Sequence, residues 1–289
     1  NPILQNFYMA IHPLTLYVGY IALSIPFGFA IGSILSKDKT DSWIILSKRW
    51  TYFSWVFLSI GLLLGSRWAY LELGWGGYWA WDPVENVALM PWLALTAFVH
   101  SSMAQESRSL LRKWNICLIF IAFFLSIFGT FITRSGLISS VHSFAQSSIG
   151  PYFIVFILLL VGFSIFIYQR NKRFICSNQE IVSLFSKENF FIFNNIFFLV
   201  ITLTVLLGTI FPILSEAITG EKILVGPSFY NLVNFPNILL LMSLMSVAPI
   251  IPWKEGRVLP ILKFIFIPFI ISFLLTLASL FYFYNIKVL

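Results

Sequence analysis

Tryptophan, glycine and acidic residues are concentrated in one short stretch, Trp75-Gly76-Gly77-Tyr78-Trp79-Ala80-Trp81-Asp82-Pro83-Val84-Glu85-Asn86. Four of the ten tryptophans fall between Trp75 and Trp92. Glycines let a backbone turn and approach a ligand closely, and indole rings offer flat apolar faces with a polar edge. A packed core scatters its large rings. The clustering therefore predicts a surface that binds a flat aromatic ligand.

An aromatic belt at the membrane interface is the alternative, because Trp and Tyr favour the headgroup region of a bilayer. That alternative suits the more isolated Trp68, Trp92 and Trp114. It explains the clustered tryptophans less well, since a belt requires neither glycine spacing nor an adjacent acidic pair.

Histidine is scarce, and the chain has only His12, His100 and His142. His12 and His142 fall in segments expected on the same side of the membrane as the tryptophan stretch. A six-coordinate haem iron takes two neutral imidazoles, one on each face of the ring. An aromatic surface flanked by two imidazoles thus suits haem. The two cysteines form no Cys-x-x-Cys pair, which argues against thiol oxidoreductase chemistry or a structural zinc site.

Two further residues have polar side chains where membrane proteins rarely tolerate them. His100 is expected about 15 Å along a helix from Met90, near the centre of a hydrocarbon core about 30 Å thick. An ionisable side chain there is functional by default, although a histidine bonded to a neighbouring helix is the alternative. Arg134 is expected on the outer side, where it contacts either lipid phosphate or a haem propionate.

Composition places these residues in a membrane protein. The chain is 59% hydrophobic and 10% charged, with a mean hydropathy of +0.90, which excludes a soluble globule. We predict an all-α, polytopic helical bundle forming one membrane domain over 1–289. Pro91 and Pro249 interrupt two short spans, so these are expected to be tilted, broken or buried. About eight spans are predicted, at 14–35, 51–67, 88–104, 114–133, 150–168, 190–213, 237–252 and 261–284.

The net charge of +7 reflects topology rather than nucleic-acid binding. Of the 18 Lys and Arg residues, only Arg67, Arg134, Lys222 and Lys287 lie on one side of the predicted bundle, leaving 14 on the other. Basic residues are retained on the cytoplasmic or matrix face. The outward side, towards periplasm or intermembrane space, is therefore expected to hold the N-terminus, the loop 70–90, the histidine-bearing segment 134–149 and the loop 214–236.

The tryptophan stretch resembles the WWD signature of a haem-handling protein family. Its ending, Trp81-Asp82-Pro83-Val84-Glu85-Asn86, resembles the haem lyase branch, cytochrome c maturation protein F (CcmF). Segments 1–13, 90–101 and 129–142 are similar to the same branch, and the similarity continues more weakly to about residue 250. The chain resembles the middle of the full-length protein, as in the split mitochondrial CcmFN type.

The resemblance implies that haem is held at the outer face between His12 and His142 as axial ligands. His100 is implied to ligate a second, b-type haem, whose other ligand comes from a histidine that this chain lacks. Three alternative roles are open for Asp82 and Glu85: capping the next helix, positioning the loop, or binding a partner. Outer-haem contacts are expected from Trp75, Trp79, Trp81, Asp82 and Arg134, and loop positioning from Gly76, Gly77, Pro83, Glu85 and Asn86.

The implied function is the haem-binding subunit of a cytochrome c haem lyase, an enzyme that forms thioether bonds within a multi-subunit complex. A haem transporter or relay without ligation activity is the alternative. A solute permease is disfavoured, because the spans contain almost no charged residues besides His100. Expected partners are apocytochrome c, a haem-delivery chaperone, other lyase subunits and quinol, with no nucleic acid. Composition favours the mitochondrial inner membrane, with the bacterial inner membrane as alternative.

Overall fold

A computed structural model of the protein describes residues 5–138, 140, 149–175, 183–253 and 258–288, with side chains in the last helix for 263–282 only. No strand occurs in this described part, so the all-α prediction is confirmed. A short 3₁₀ turn, Ala248–Ile250, follows the eighth helix. The helices are α1 (Phe7–Ala22), α2 (Ser24–Leu35), α3 (Ser42–Glu72), α4 (Pro83–Arg108), α5 (Arg112–Ser135), α6 (Gly150–Asn171), α7 (Lys187–Thr219), α8 (Pro227–Val247) and α9 (Val258–Val288).

Seven helical segments of the described chain are long and apolar enough to cross a membrane, against about eight predicted. The difference is α3, which contains the predicted span 51–67. It has 31 residues and is about 46 Å long at 1.5 Å per residue. Trp, Tyr and Ser residues interrupt its apolar stretch. The seven are Phe7–Leu35, Pro83–Arg108, Arg112–Ser135, Gly150–Asn171, Lys187–Thr219, Pro227–Ile250 and Lys263–Tyr282.

Proline determines where several helices bend or end. Pro26 has no N–H to offer the carbonyl of Ala22, and the first span breaks there into α1 and α2. Pro249 lies where α8 gives way to the 3₁₀ turn. Pro91, in contrast, lies buried within a continuous α4, so of the three alternatives for this span the structure shows burial without a break. The carbonyl that Pro91 frees, on Val87, faces α5 where that helix comes closest.

Helices α1 and α3 pack closely because glycines remove side chains from their interface. A Cβ added at Gly61 would lie 2.6 Å from the Cγ of Leu16, and one added at Gly19 would lie 2.7 Å from the Cγ of Leu58. Small residues of this kind let helix backbones approach each other in a membrane. The contact continues towards the loop end of α3, where it determines the surroundings of His12.

Buried polar side chains join α4, α5 and α7. Asn115 donates to the Gln105 side chain at 2.7 Å, and Gln105 in turn donates to Asp41 at 2.7 Å. The amide of Asn195 on α7 contacts two backbone carbonyls, one of α4 and one of α7, and also the indole of Trp114 on α5. Polar contacts hold membrane helices together because few alternative partners exist in hydrocarbon. They fix α4, the helix that carries His100.

The bundle has two chemically different ends. At the loop end, the end that holds residues 73–82, Asn6 donates to Glu72 at 2.6 Å and Lys222 donates to the Leu137 carbonyl at 3.2 Å. At the opposite, basic end, Arg112 pairs with Asp41 at 2.9 Å. The described parts of the predicted outward segments therefore lie together at the loop end. The last of them is shorter than predicted, because α7 continues to Thr219 and α8 begins at Pro227.

We expect Gly61→Ala to destabilise the fold by about 1–3 kcal/mol, because the added methyl group would overpack against Leu16. Gly32→Ala is the matched control, since an added Cβ at this exposed helical position meets nothing within 4 Å. It should be neutral or stabilising by up to about 1 kcal/mol. Thermal unfolding in detergent measures both. Equal midpoints for the two variants would contradict the close α1–α3 packing.

Candidate functional site

Residues 73–82 form a non-helical loop between α3 and α4. Gly74 and Gly76 have φ of 64° and 73°, values that glycine adopts without strain. Gly77 does not have a positive φ. Of Gly76 and Gly77, the two glycines predicted to position the loop, only Gly76 therefore needs the backbone freedom of glycine. Tyr70 and Tyr78 stack at 4.4 Å between ring centroids and hold the loop against the end of α3.

Trp81 anchors the loop to α8. Its ring stacks on Tyr230 at 5.1 Å with an interplanar angle of 12°, and its Nε1 donates to Asn231 at 2.8 Å. Trp79 meets Trp81 edge to face at 6.0 Å. Trp81 also has a φ of 58°, which costs a non-glycine residue about 1–2 kcal/mol. This tryptophan therefore has one face covered and a strained backbone held by its neighbours.

The acidic pair after Trp81 caps α4. The Asp82 carboxylate accepts from the Val84 N–H at 3.0 Å, while the Glu85 carboxylate accepts from the Asp82 and Ala80 N–H groups at 3.1 Å. With Pro83 as the first helical residue, this is a capping box. Capping was one of three alternatives for these residues, and the structure shows the capping contacts.

Asn86 completes this arrangement from inside the bundle. It is 0% exposed, and its Nδ2 donates to the Trp81 carbonyl and to the Thr209 hydroxyl, both at 3.1 Å. One side chain thus links the strained loop residue to α7. The contacts of Glu85 and Asn86 with the loop backbone are consistent with their predicted loop-positioning role.

His12 is buried at the loop end of α1. Its imidazole stacks on the indole of Trp68 on α3 at 5.8 Å and 20°. Gly65 lies beside it, where an added Cβ would come within 3.2 Å of Nδ1. Trp68 is 0% exposed, so its expected place in an interfacial belt is wrong. A large ring on α3 was needed to orient the imidazole, and no pattern in the sequence links positions 12 and 68.

A cavity of about 260 Å³ brings together two predicted site residues, His12 and Arg134. It opens between α1, α4 and α5, and Tyr17, Tyr20 and Thr130 contribute to its walls. Trp75, Trp79 and Trp81 do not line it. The tryptophan loop instead meets the cavity through the start of α4, where Val84 is a wall residue.

The fit to haem is tested by the groups around this cavity. An imidazole and a guanidinium are the groups that bind haem iron and a propionate, respectively. Outside the cavity, in the adjoining loop, Trp79 Nε1 is buried without a hydrogen-bond partner in the described part of the chain. Such a donor is costly unless a ligand satisfies it. The donor set therefore fits haem.

His142, the predicted second ligand, lies outside the described residues. Ser140, two positions earlier, is described, and its hydroxyl donates to Asp82 at 2.6 Å. The segment that leads to His142 is thus attached to the start of α4, beside the wall of the His12 cavity.

His100 lies on α4 eight residues before its end at Arg108, about 12 Å from the basic end. It lines a second cavity of about 310 Å³ with Met103, Met245 and Lys187. Phe191 and Phe198 flank the imidazole at 6.2 and 5.9 Å. The two cavities are therefore separate, one at each half of the bundle.

Comparison with known proteins agrees with this fold. A family profile described as "Cytochrome C assembly protein" matches residues 1–142. "Cytochrome c-type biogenesis protein CcmF" of Pseudomonas aeruginosa is 40% identical over 256 residues, covering 88% of this chain and 39% of the relative. The CcmF of Escherichia coli K12 is 37% identical over 278 residues, covering 96% and 43%.

A solved structure titled "Cytochrome c Heme Lyase CcmF" matches with a TM-score of 0.72 and 33% identity, over 88% of this chain and 38% of that one. In fold and in the matched segments the chain is similar to membrane-embedded cytochrome c biogenesis proteins. Within that class the similarity is to the CcmF type, as the motifs predict, and the chain spans about two fifths of the length of these relatives. It is an integral membrane protein.

We expect Asp82→Ala to destabilise the protein by about 1 kcal/mol, because the α4 cap and the Ser140 contact are lost together. Asp82→Asn is the control, since its amide oxygen still accepts a hydrogen bond from the Val84 N–H. Unfolding midpoints and protease cleavage within 73–82 measure the difference. If the Asn variant behaves like the Ala variant, the negative charge matters and the role of Asp82 is not limited to capping.

Proposed function

We propose that this chain is the haem-binding subunit of a cytochrome c haem lyase and holds substrate haem at the loop end of the bundle. The observation that carries the proposal is the cavity shared by His12 and Arg134 next to the capped tryptophan loop. The titles of the matched relatives and structure support the same process. The loop end then faces outward, in agreement with the distribution of basic residues.

His12 and His142 are the proposed axial ligands of this haem. Stacking on Trp68 fixes the plane of the His12 ring before haem arrives. Ser140 is attached to Asp82, and two residues of chain reach at most about 7 Å beyond it. This reach makes a ligand from position 142 compatible with the cavity that His12 lines.

The remaining site residues have separate proposed roles. Arg134 pairs with a propionate, and the Trp79 N–H donates to the haem periphery. Trp75 contributes a ring face. Trp81 keeps its predicted place at the haem, but its stacking on Tyr230 gives it the additional role of attaching the platform to α8. Asp82 acts through the cap.

The chemistry needs no nucleophile from this chain. A thiol of apocytochrome c adds across a haem vinyl group, so that one C–S bond forms and the thiol proton is transferred to the vinyl carbon chain. A binding site accelerates such a step by holding the reacting groups at the right distance and orientation. The proposed task of the loop end is therefore to present haem with its vinyl edge accessible.

His100 is the proposed ligand of a second, b-type haem inside the membrane. The second axial ligand comes from another chain or segment, in agreement with the short coverage of the longer relatives. Quinol is the proposed electron source, and reduction of the substrate haem the proposed purpose. Lys187, which lines the His100 cavity, offers a cation for a propionate.

The remaining partners are an apocytochrome c, a haem-delivery chaperone and further lyase subunits. The relatives named above are bacterial proteins. They support the bacterial inner membrane and give no support to the mitochondrial inner membrane that composition favours. A haem relay without ligation activity is the second candidate function, because the same cavity suits a carrier.

We expect His12→Ala to lower the haem content of the purified assembly at the loop end by about tenfold or more, since an axial ligand is lost. Leu14→Ala is the control, because Leu14 is exposed on the same helix. Haem content is measured by absorbance together with cytochrome c maturation in cells. Unchanged haem and unchanged maturation in the His12 variant would refute the ligand assignment.

The lyase and relay alternatives differ in product. The purified assembly supplied with reduced haem and reduced apocytochrome should yield haem that stays attached after acid–acetone extraction. If haem binds normally but all of it is extracted, the relay is correct and the lyase assignment is wrong.

A further inference from the structure

Asn194 on α7 contacts the imidazole of His100. The amide nitrogen Nδ2 lies 2.9 Å from Nδ1, and Asn194 is 6% exposed. This is the one side-chain hydrogen bond of Asn194 in the described part of the chain. A buried amide at this depth would be costly without such a contact. The residue is therefore placed for His100 rather than for the stability of α7 itself.

The same helix also limits rotation of the imidazole. Phe191 and Phe198 lie one turn to either side of Asn194, and their rings are within 10° and 23° of the imidazole plane. Residues three and four apart share one face of a helix. Aromatic rings before and after the amide thus hold the imidazole in one orientation with Nδ1 towards α7.

The opposite nitrogen, Nε2, receives no hydrogen bond from the described residues, and His100 lines the open 310 Å³ cavity. A neutral imidazole has one protonated nitrogen and one lone pair. Iron binds the lone pair, so ligation through Nε2 requires the proton on Nδ1. The amide of Asn194 decides which form is stable, because its two ends have nearly the same shape but opposite hydrogen-bonding roles.

We propose that Asn194 is the positioning residue for His100: a half-turn of its amide exchanges Nδ2 for Oδ1, which accepts the Nδ1 proton and thereby presents the Nε2 lone pair to haem iron. This inference rests on the proposed role of His100. A ligating histidine whose second nitrogen donates to a fixed acceptor is oriented and is a stronger electron donor. Asn194 thus also influences the reduction potential of the membrane haem.

The test is the midpoint potential of the b-type haem in the complete membrane assembly, measured by redox titration. Asn194→Leu removes the acceptor at similar volume, so His100 donates less electron density and the midpoint should rise. Asn194→Asp restores an acceptor, and its midpoint should return to the wild-type value or fall below it. Asn237→Leu on α8 is the control, because that amide bonds only to its own helix, at Val233.

The outcomes separate this inference from the proposed function. Loss of the b-type absorbance in His100→Ala, with a raised midpoint in Asn194→Leu and rescue by Asp, supports both. Loss in His100→Ala with an unchanged midpoint in Asn194→Leu overturns the positioning role alone. If the absorbance survives His100→Ala, the ligand assignment itself is wrong. Full haem loss in Asn194→Leu that Asp does not rescue also contradicts the proposal, since only the acceptor should matter.

Discussion

The hydrogen-bonded start of α4 is the constraint on which the loop end depends. Asp82 and Glu85 satisfy N–H groups that no helical carbonyl can reach. Asn86 extends the same unit to the Trp81 carbonyl and to α7. Ser140 adds the segment that precedes His142. Four parts of the chain therefore meet at one helix end, and each is positioned relative to the others before any ligand binds.

The His12 side of the site depends on a different interaction, the close packing of α1 on α3. Gly61 and Gly65 lie one turn apart on α3. Gly61 leaves no room for a larger residue beside α1, and a Cβ at Gly65 would press on the His12 ring at 3.2 Å. Trp68 follows them and supports the imidazole. The glycines of α3 let α1 and α3 approach each other, and the Trp68 ring fills the space between them beside His12. This arrangement supports His12 from α3.

Much of this could be predicted from the sequence, and the exceptions have physical reasons. Hydropathy gave the spans and the basic residues gave the two ends, because both follow from the chemistry of the bilayer. The helix cap could be recognised because Asp82 and Glu85 are three residues apart, the spacing of a capping box. The stacking of Trp68 on His12 and the contact of Asn194 with His100 could not, since both join residues that are distant in sequence. The difference between an aromatic belt and a buried aromatic support depends on packing, which hydropathy does not encode.

The central claim is that one porphyrin iron at the loop end is bound by two imidazoles, from α1 and from the segment after α5. The most direct measurement is the electron paramagnetic resonance spectrum of ferric haem in an assembly whose His100 is replaced, which leaves only the outer haem visible. The account predicts a low-spin, bis-imidazole signal that becomes high-spin when His142 is changed to alanine. A low-spin signal that is unchanged in the His142 variant would contradict it.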